Sequence, residues 1–152
     1  MRKRTLRELR LWLKENGFGD CKIKNGKEFE YDFATSTIHC GDYKDIIDAE
    51  PSFQKLCKRY GLKEYDMATM TILHELGHHN TGYDTSALSD IVDSWLRRLV
   101  VAFPCYNKLE QLCCYWFYQR IPQEKLATKW ACQFVLTKPQ ATKKLKAILK
   151  GD

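Results

Sequence analysis

Leu6, Leu9, Trp12 and Leu13 recur at three- and four-residue intervals among charged neighbours, the spacing of one buried helix face. Thr5 offers a cap, and the helix is predicted to run to Asn16, ahead of Gly17-Phe18-Gly19. The period then drops to two. Phe29, Tyr31 and Phe33 alternate with Glu30 and Asp32, predicting a strand over 28–33 with one covered and one wet face. A strand over 21–24 precedes it. Asn25-Gly26 between the two tolerates positive φ at both positions and predicts a hairpin. Residues 36–40 supply a third strand.

Beyond residue 50 the pattern is helical. Over 51–60, Phe53, Leu56 and Tyr60 share a face and Gly61 stops the run. Met67, Met70, Leu73 and Leu76 recur every third residue in a helix predicted over 65–79, which Asn80-Thr81-Gly82 ends. Leu88, Val92, Trp95 and Leu99 mark a helix opening at Ser86 or Ser89; Leu109, Leu112 and Trp116 mark another. The aromatic side chains between Trp95 and Phe117 are expected in the core. Pro122 suits a first helical turn, and Leu126, Trp130 and Phe134 follow at four-residue steps. A last helix over 140–150 turns Leu145 and Leu149 inward. The expectation is one α+β domain over 1–152, mainly helical, with a small sheet of about three strands and no internal repeat.

Composition narrows the class. A chain of 152 residues, 44% hydrophobic, can bury a core without disulfides. Its seven cysteines are odd in number and form no Cys-x-x-Cys pair, so they are expected as reduced core thiols. The first residues are charged where a secretory leader would be apolar, and no apolar run reaches membrane-spanning length. The reading is cytoplasmic, with no membrane partner. Basic residues gather at Arg2-Lys3-Arg4, at Arg97-Arg98 and over 138–146, within a net charge of +6. No aromatic side chains interleave them to stack on bases, so a solvated basic face is preferred to a nucleic-acid site.

The chemistry concentrates in His74-Glu75-Leu76-Gly77-His78. Histidines four apart stack on one helix face and can reach a single ion, while Glu75 stands beside them as a base. A catalytic metal wants a third protein ligand and an open position for water. Two candidates follow. Asp84 lies ten residues after His74, but Gly82 comes four residues after His78 instead of three, and no Met-turn is evident. Glu124 fits better, because Ala127 and Ala131 would let its helix approach the first one closely. His79 and Tyr83 are candidate donors to a developing oxyanion. Asp84, Asp90 and Asp93 are candidates to orient the ligand imidazoles. His39, within a strand, is read as structural.

At these residues the chain resembles the ImmA/IrrE metallopeptidases. That family carries His-Glu-Leu-Gly-His near mid-chain and a later helix with Glu-x-x-Ala-x-x-(aromatic)-Ala, matched here by His74 to His78 and by Glu124, Ala127, Trp130 and Ala131. Pro139 also fits, and the likeness spans roughly residues 67 to 139. Thr128 departs from it, standing where many members carry Asp or Asn. The resemblance implies a zincin-like fold of the gluzincin type. It implies one catalytic Zn²⁺ held by His74, His78 and Glu124, with Glu75 as the catalytic residue. The function implied is hydrolysis of a specific protein or peptide substrate, such as a repressor or regulator linked to a phage or mobile element. The alternative is a protein of the same fold, weak or inactive in cleavage, that works by binding a partner protein.

Overall fold

The computed structural model describes residues 1–27, 29–41, 50–82 and 121–151, together with Trp95 and Arg98. In chain order the described elements are α1 (Lys3–Glu15), β1 (Lys22–Asn25), β2 (Glu30–Asp32) and β3 (Thr37–Cys40). There follow α2 (Glu50–Arg59), α3 (Met67–Thr81), α4 (Pro122–Thr137) and α5 (Pro139–Lys150). The architecture is α+β, mostly helical with a small three-stranded sheet, as the periodicities predict. No helix among the described residues is long and apolar enough to cross a membrane.

Helix α1 starts two residues before Thr5. Arg2 stands at its N-cap without a side-chain capping bond, and Thr5 is buried inside the helix beside Leu6, Leu9, Trp12 and Leu13. Burial on the covered face outweighs the capping preference of the hydroxyl. Trp12 reaches furthest: its indole N–H donates to the Ala141 carbonyl at 2.9 Å, and its ring meets Phe134 edge-on at 5.9 Å. That bond, with the one from Arg2 to the Gly151 carbonyl, lays α5 antiparallel beside α1. Leu145 and Leu149 close the seam from the α5 side.

The sheet corrects the predicted hairpin. Its order is β1-β3-β2, with β1 parallel to β3 and β2 antiparallel to it. The hairpin therefore joins β2 to β3, and Asn25-Gly26 leads away from β1 without pairing it to β2. The turn at 33–36 forms where Asp32 Oδ1 accepts from the Ala34 amide at 2.9 Å and Ser36 adopts a φ of 49°. The reason for the strand order is burial. Ile23 and Ile38 lie opposite one another across the parallel pair, both almost wholly covered, so the most apolar strand takes the centre. Half-exposed Glu30–Asp32 takes an edge. Alternation reveals which face a residue occupies and carries no information about its neighbouring strand.

Helix α3 is buried nearly all round from Thr69 to His78, not along one face. Its main neighbour is α4, and the contact is close enough that a Cβ on Gly77 would stand 2.5 Å from the Ala127 carbonyl oxygen. Ala127 and Ala131 thus perform the close approach expected of them. The predicted apolar stripe on α4 does not hold throughout. Leu126 is exposed, and the inward face carries Gln123, Glu124, Ala127, Thr128, Ala131, Cys132 and Phe134. A helix this close to Gly77 has room for small and polar side chains there, and no room for a leucine. Trp95, expected on a covered stripe, is exposed. Spacing shows which residues share a face, not whether anything covers that face. The helices expected over 86–119, apart from Trp95 and Arg98, lie outside the described residues.

Cys21, Cys40, Cys57 and Cys132 are buried free thiols, as expected of core cysteines. Burial pushes Cys21 up to about 11 and Cys40 to about 12, which keeps both protonated and unreactive at neutral pH.

Candidate metal centre

The phase of α3 is set at its first residue. Asp66 occupies the N-cap, where its carboxylate accepts from the Thr69 amide at 3.1 Å and the Thr69 hydroxyl at 2.8 Å. Gly82, with a φ of 66°, follows the last turn. Between these ends His74 and His78 fall one turn apart on the α4 side, their ring centroids 4.8 Å from each other and the rings nearly perpendicular. Helix α4 contributes Glu124 from its first turn, where a carboxylate is also favoured by the helix dipole.

Glu124 Oε2 stands 3.0 Å from His74 Nε2 and 3.3 Å from His78 Nε2. All three residues are buried, and one possible ligand atom from each lies within 4.8 Å of the others. Tetrahedral zinc with bonds of about 2.0–2.1 Å needs ligand atoms about 3.3 Å apart. The donor set fits. His74, His78 and Glu124 could hold a metal ion, and both imidazoles turn the same nitrogen toward the carboxylate.

His74 is further oriented by Thr128, whose Oγ1 lies 3.0 Å from His74 Nδ1. In the tautomer with its proton on Nδ1, the ring donates to this hydroxyl and leaves the Nε2 lone pair for an ion. Thr128 therefore stands in hydrogen-bonding contact where the resemblance would place Asp or Asn. His78 Nδ1 is buried and meets no hydrogen-bond partner among the described residues, and the same holds for the side-chain amide of Gln123 on α4. Nothing in the periodicity singled out Gln123. Its position one residue before Glu124 on the inward face of α4 is a tertiary fact.

The electrostatics separate the two carboxylates. Burial alone would raise the Glu124 carboxyl, but the hydrogen-bonded His74 and His78 rings outweigh it and hold it far below the ordinary range. Burial would lower His74; the bond from Glu124 and the charges of Glu75 and Glu124 reverse that and raise it. Glu75, 7% exposed, is the opposite case. Burial lifts its pKa, and the attraction of the two imidazoles does not cancel the rise. Glu124 is a persistent anion suited to ligation; Glu75 is a carboxyl moved toward the range useful for proton transfer.

His79 is corrected as a candidate oxyanion donor. Its Nδ1 shares a 2.7 Å hydrogen bond with the Tyr31 hydroxyl, and its Nε2 lies 3.3 Å from Asp20 Oδ1. Both ring nitrogens are engaged away from the ligand cluster. The His79 ring instead fastens the end of α3 to β2, beside a second contact in which Phe33 meets the His78 ring at 5.8 Å. Tyr31 and Asp20 were not singled out by sequence, since neither carries a motif. His39 pairs with Glu30 across β2 and β3 and takes no part in the cluster. Tyr83, Asp84, Asp90 and Asp93 lie outside the described residues. No family model, curated protein or solved structure matches the chain, so its chemistry is argued from these side chains.

Proposed function

We propose that this chain is a zinc-dependent endopeptidase of the ImmA/IrrE type, with a zincin-like fold. Its substrate is a specific protein, a repressor or regulator linked to a phage or mobile element. The observation that carries the reading is the juxtaposition of Glu75 with three buried ligands, His74, His78 and Glu124. A structural metal is normally closed by four protein ligands, whereas the three found among the described residues leave a position for water or substrate.

The division of labour follows from the charges. His74, His78 and Glu124 would hold a zinc ion, which would supply acidified water and polarise the substrate carbonyl. Glu75 accepts the proton as water attacks the peptide carbon, then passes it to the departing amine. Burial makes Glu75 a stronger base than an exposed carboxylate. Thr128 keeps His74 in register. Strand β2, which pairs on one side with β3 among the described residues, runs beside α3 and offers its other edge to an extended substrate. Phe33, 40% exposed at the end of that strand, forms an apolar wall next to His78.

The test separates metal from cleavage. Wild type, Glu75→Gln and Glu124→Ala are loaded with zinc, dialysed and assayed for bound metal. They are then incubated with a proteome-derived peptide library, and new N-termini are read by mass spectrometry. The expected result is about one zinc per chain in wild type and Glu75→Gln, new termini from wild type alone, and little metal in Glu124→Ala. Cleavage undiminished in Glu75→Gln, or zinc-loaded wild type that cuts nothing, would overturn the proposal; the second result would favour the partner-binding alternative.

A further inference from the structure

The two imidazoles of the metal centre are held by different means. His74 is engaged at both ring nitrogens, by Thr128 Oγ1 at 3.0 Å from Nδ1 and by Glu124 Oε2 at 3.0 Å from Nε2. His78 Nε2 stands 3.3 Å from the same carboxylate oxygen, and its buried Nδ1 meets no hydrogen-bond partner among the described residues. The torsion that turns an imidazole about its Cβ–Cγ bond is broad, so a ring held at one nitrogen swings and carries with it the lone pair that an ion needs. The further restraint on His78 has to come from packing.

That packing is aromatic. The Phe33 ring meets the His78 ring at 5.8 Å and 71°, within the range of edge-to-face pairs, and the His74 ring meets it at 4.8 Å and 86°. Phe33 directly follows β2 and is 40% exposed, so hydrophobic burial does not account for its place. A circuit of contacts that begins and ends on α3 fixes it there. His79 Nδ1 shares a 2.7 Å hydrogen bond with the Tyr31 hydroxyl, and Tyr31 meets Phe33 edge-on at 4.9 Å. Phe33 then returns to His78, the residue before His79. Asp20 engages the other His79 nitrogen at 3.3 Å. The backbone around Phe33 is pinned as well, because the Asp32 carboxylate accepts from the Ala34 amide and from the Thr35 hydroxyl.

We infer that Phe33 is the positioning residue of His78, doing with a ring what Thr128 does for His74 with a hydroxyl. Two rings set nearly at right angles to the imidazole leave it little room to turn, so Nε2 stays directed at Glu124. Tyr31, His79 and Asp20 act one step further out, by holding Phe33. The inference rests on the zinc-site reading proposed above and on no assumption about cleavage. If Phe33 served only to fasten β2 to α3, its removal would lower stability with no selective effect on His78. A positioning role makes the opposite demand: the effect has to run through His78.

The experiment is chelator competition for zinc with wild type, Phe33→Ala and Phe33→Leu, the alanine change being repeated in His78→Gln and Thr128→Ala backgrounds. Thermal melts of the metal-free proteins establish folding, and Phe33→Leu keeps the apolar bulk should the alanine variant not fold. Both single variants should bind zinc about three- to tenfold more weakly, the worth of one edge-to-face pair. The loss should be the same in Thr128→Ala, which acts on the other imidazole, and should vanish in His78→Gln. NMR of the histidine ring C–H groups in the metal-free protein gives a second readout. The His78 signals, assigned with His78→Gln, should move in Phe33→Ala and Phe33→Leu more than those of His74. Wild type that takes up no zinc would end the peptidase reading, and these ring signals would then decide the role of Phe33. Zinc affinity unchanged in Phe33→Ala, full affinity in Phe33→Leu, a loss that persists in His78→Gln, or His78 signals no more disturbed than those of His74 would overturn the inference.

Discussion

The hydrogen bond between Thr128 and His74 illustrates how little separates a ligand from a bystander at the residue scale. An imidazole free to rotate loses most of its value to a metal, and one hydroxyl at 3.0 Å restrains this ring. Thr128→Ala is expected to weaken zinc binding about 10- to 100-fold in a chelator competition, with Thr128→Ser retaining most of it. Affinity unchanged in the alanine variant would show that packing alone orients His74. His74, Glu75 and His78 were legible in sequence because one helix dictates their mutual placement. Glu124 was legible only as the better of two candidates. The role of Thr128 was not, since a hydroxyl becomes useful only at the distance that helix packing sets. His79 misled for the same reason: proximity in sequence to a ligand says nothing of Tyr31 and Asp20, which take its two nitrogens.

At the scale of elements, the centre depends on how closely α3 and α4 approach. Gly77 makes this possible, because any larger residue would place its Cβ 2.5 Å from the Ala127 oxygen and 2.8 Å from its Cα, both backbone atoms that cannot rotate aside. Gly77→Ala gains helix propensity of roughly 1 kcal/mol yet overpacks the crossing, which costs about 1–3 kcal/mol or more. The expected outcome is a lower melting temperature together with weaker zinc binding, because the helices carrying His74 and Glu124 are pushed apart. A variant more stable than wild type would show that the crossing relaxes at no cost. Small residues at the α4 crossing were readable from sequence. Gly77 as the residue they meet on α3 was not, nor was the strand order, where Ile23 and Ile38 met in parallel across a sheet that local turn chemistry had folded differently.

Across the whole molecule, the same residue that starts α3 also ties it to α5. Asp66 caps the metal helix and lies 3.5 Å from Lys146 Nζ. Partial burial alone would raise its pKa; the bonds from Thr69 and the charge of Lys146 outweigh that and hold it below the ordinary range. A carboxyl depressed in the folded state contributes fully above its unfolded pKa of about 3.9, and the contribution is lost as pH falls through the folded value. Asp66→Ala should therefore cost about 1 kcal/mol at pH 7 by chemical denaturation, a difference that shrinks below pH 4. Asp66→Asn, which still caps, should lose less at pH 7. A penalty for Asp66→Ala that is equal at pH 7 and pH 3 would contradict this account.

What the sequence by itself determined is the set of relations confined to one element. A 3.6-residue period places His74 and His78 on one face with Glu75 beside them. The two-residue period over 29–33 does not yield one covered and one wet face, because Tyr31 and Asp32 are both half-buried and Phe33 is exposed. Tertiary structure decided every relation between elements: Glu124 between the two imidazoles, Thr128 behind one of them, β3 between β1 and β2, and two basic helices laid side by side. The physical reason is the range of the forces. Backbone geometry repeats within a few residues and leaves its period in the sequence. Packing joins residues from fifteen to more than a hundred positions apart, Ile23 to Ile38 and Trp12 to Ala141, through shape and burial, and these have no period to read.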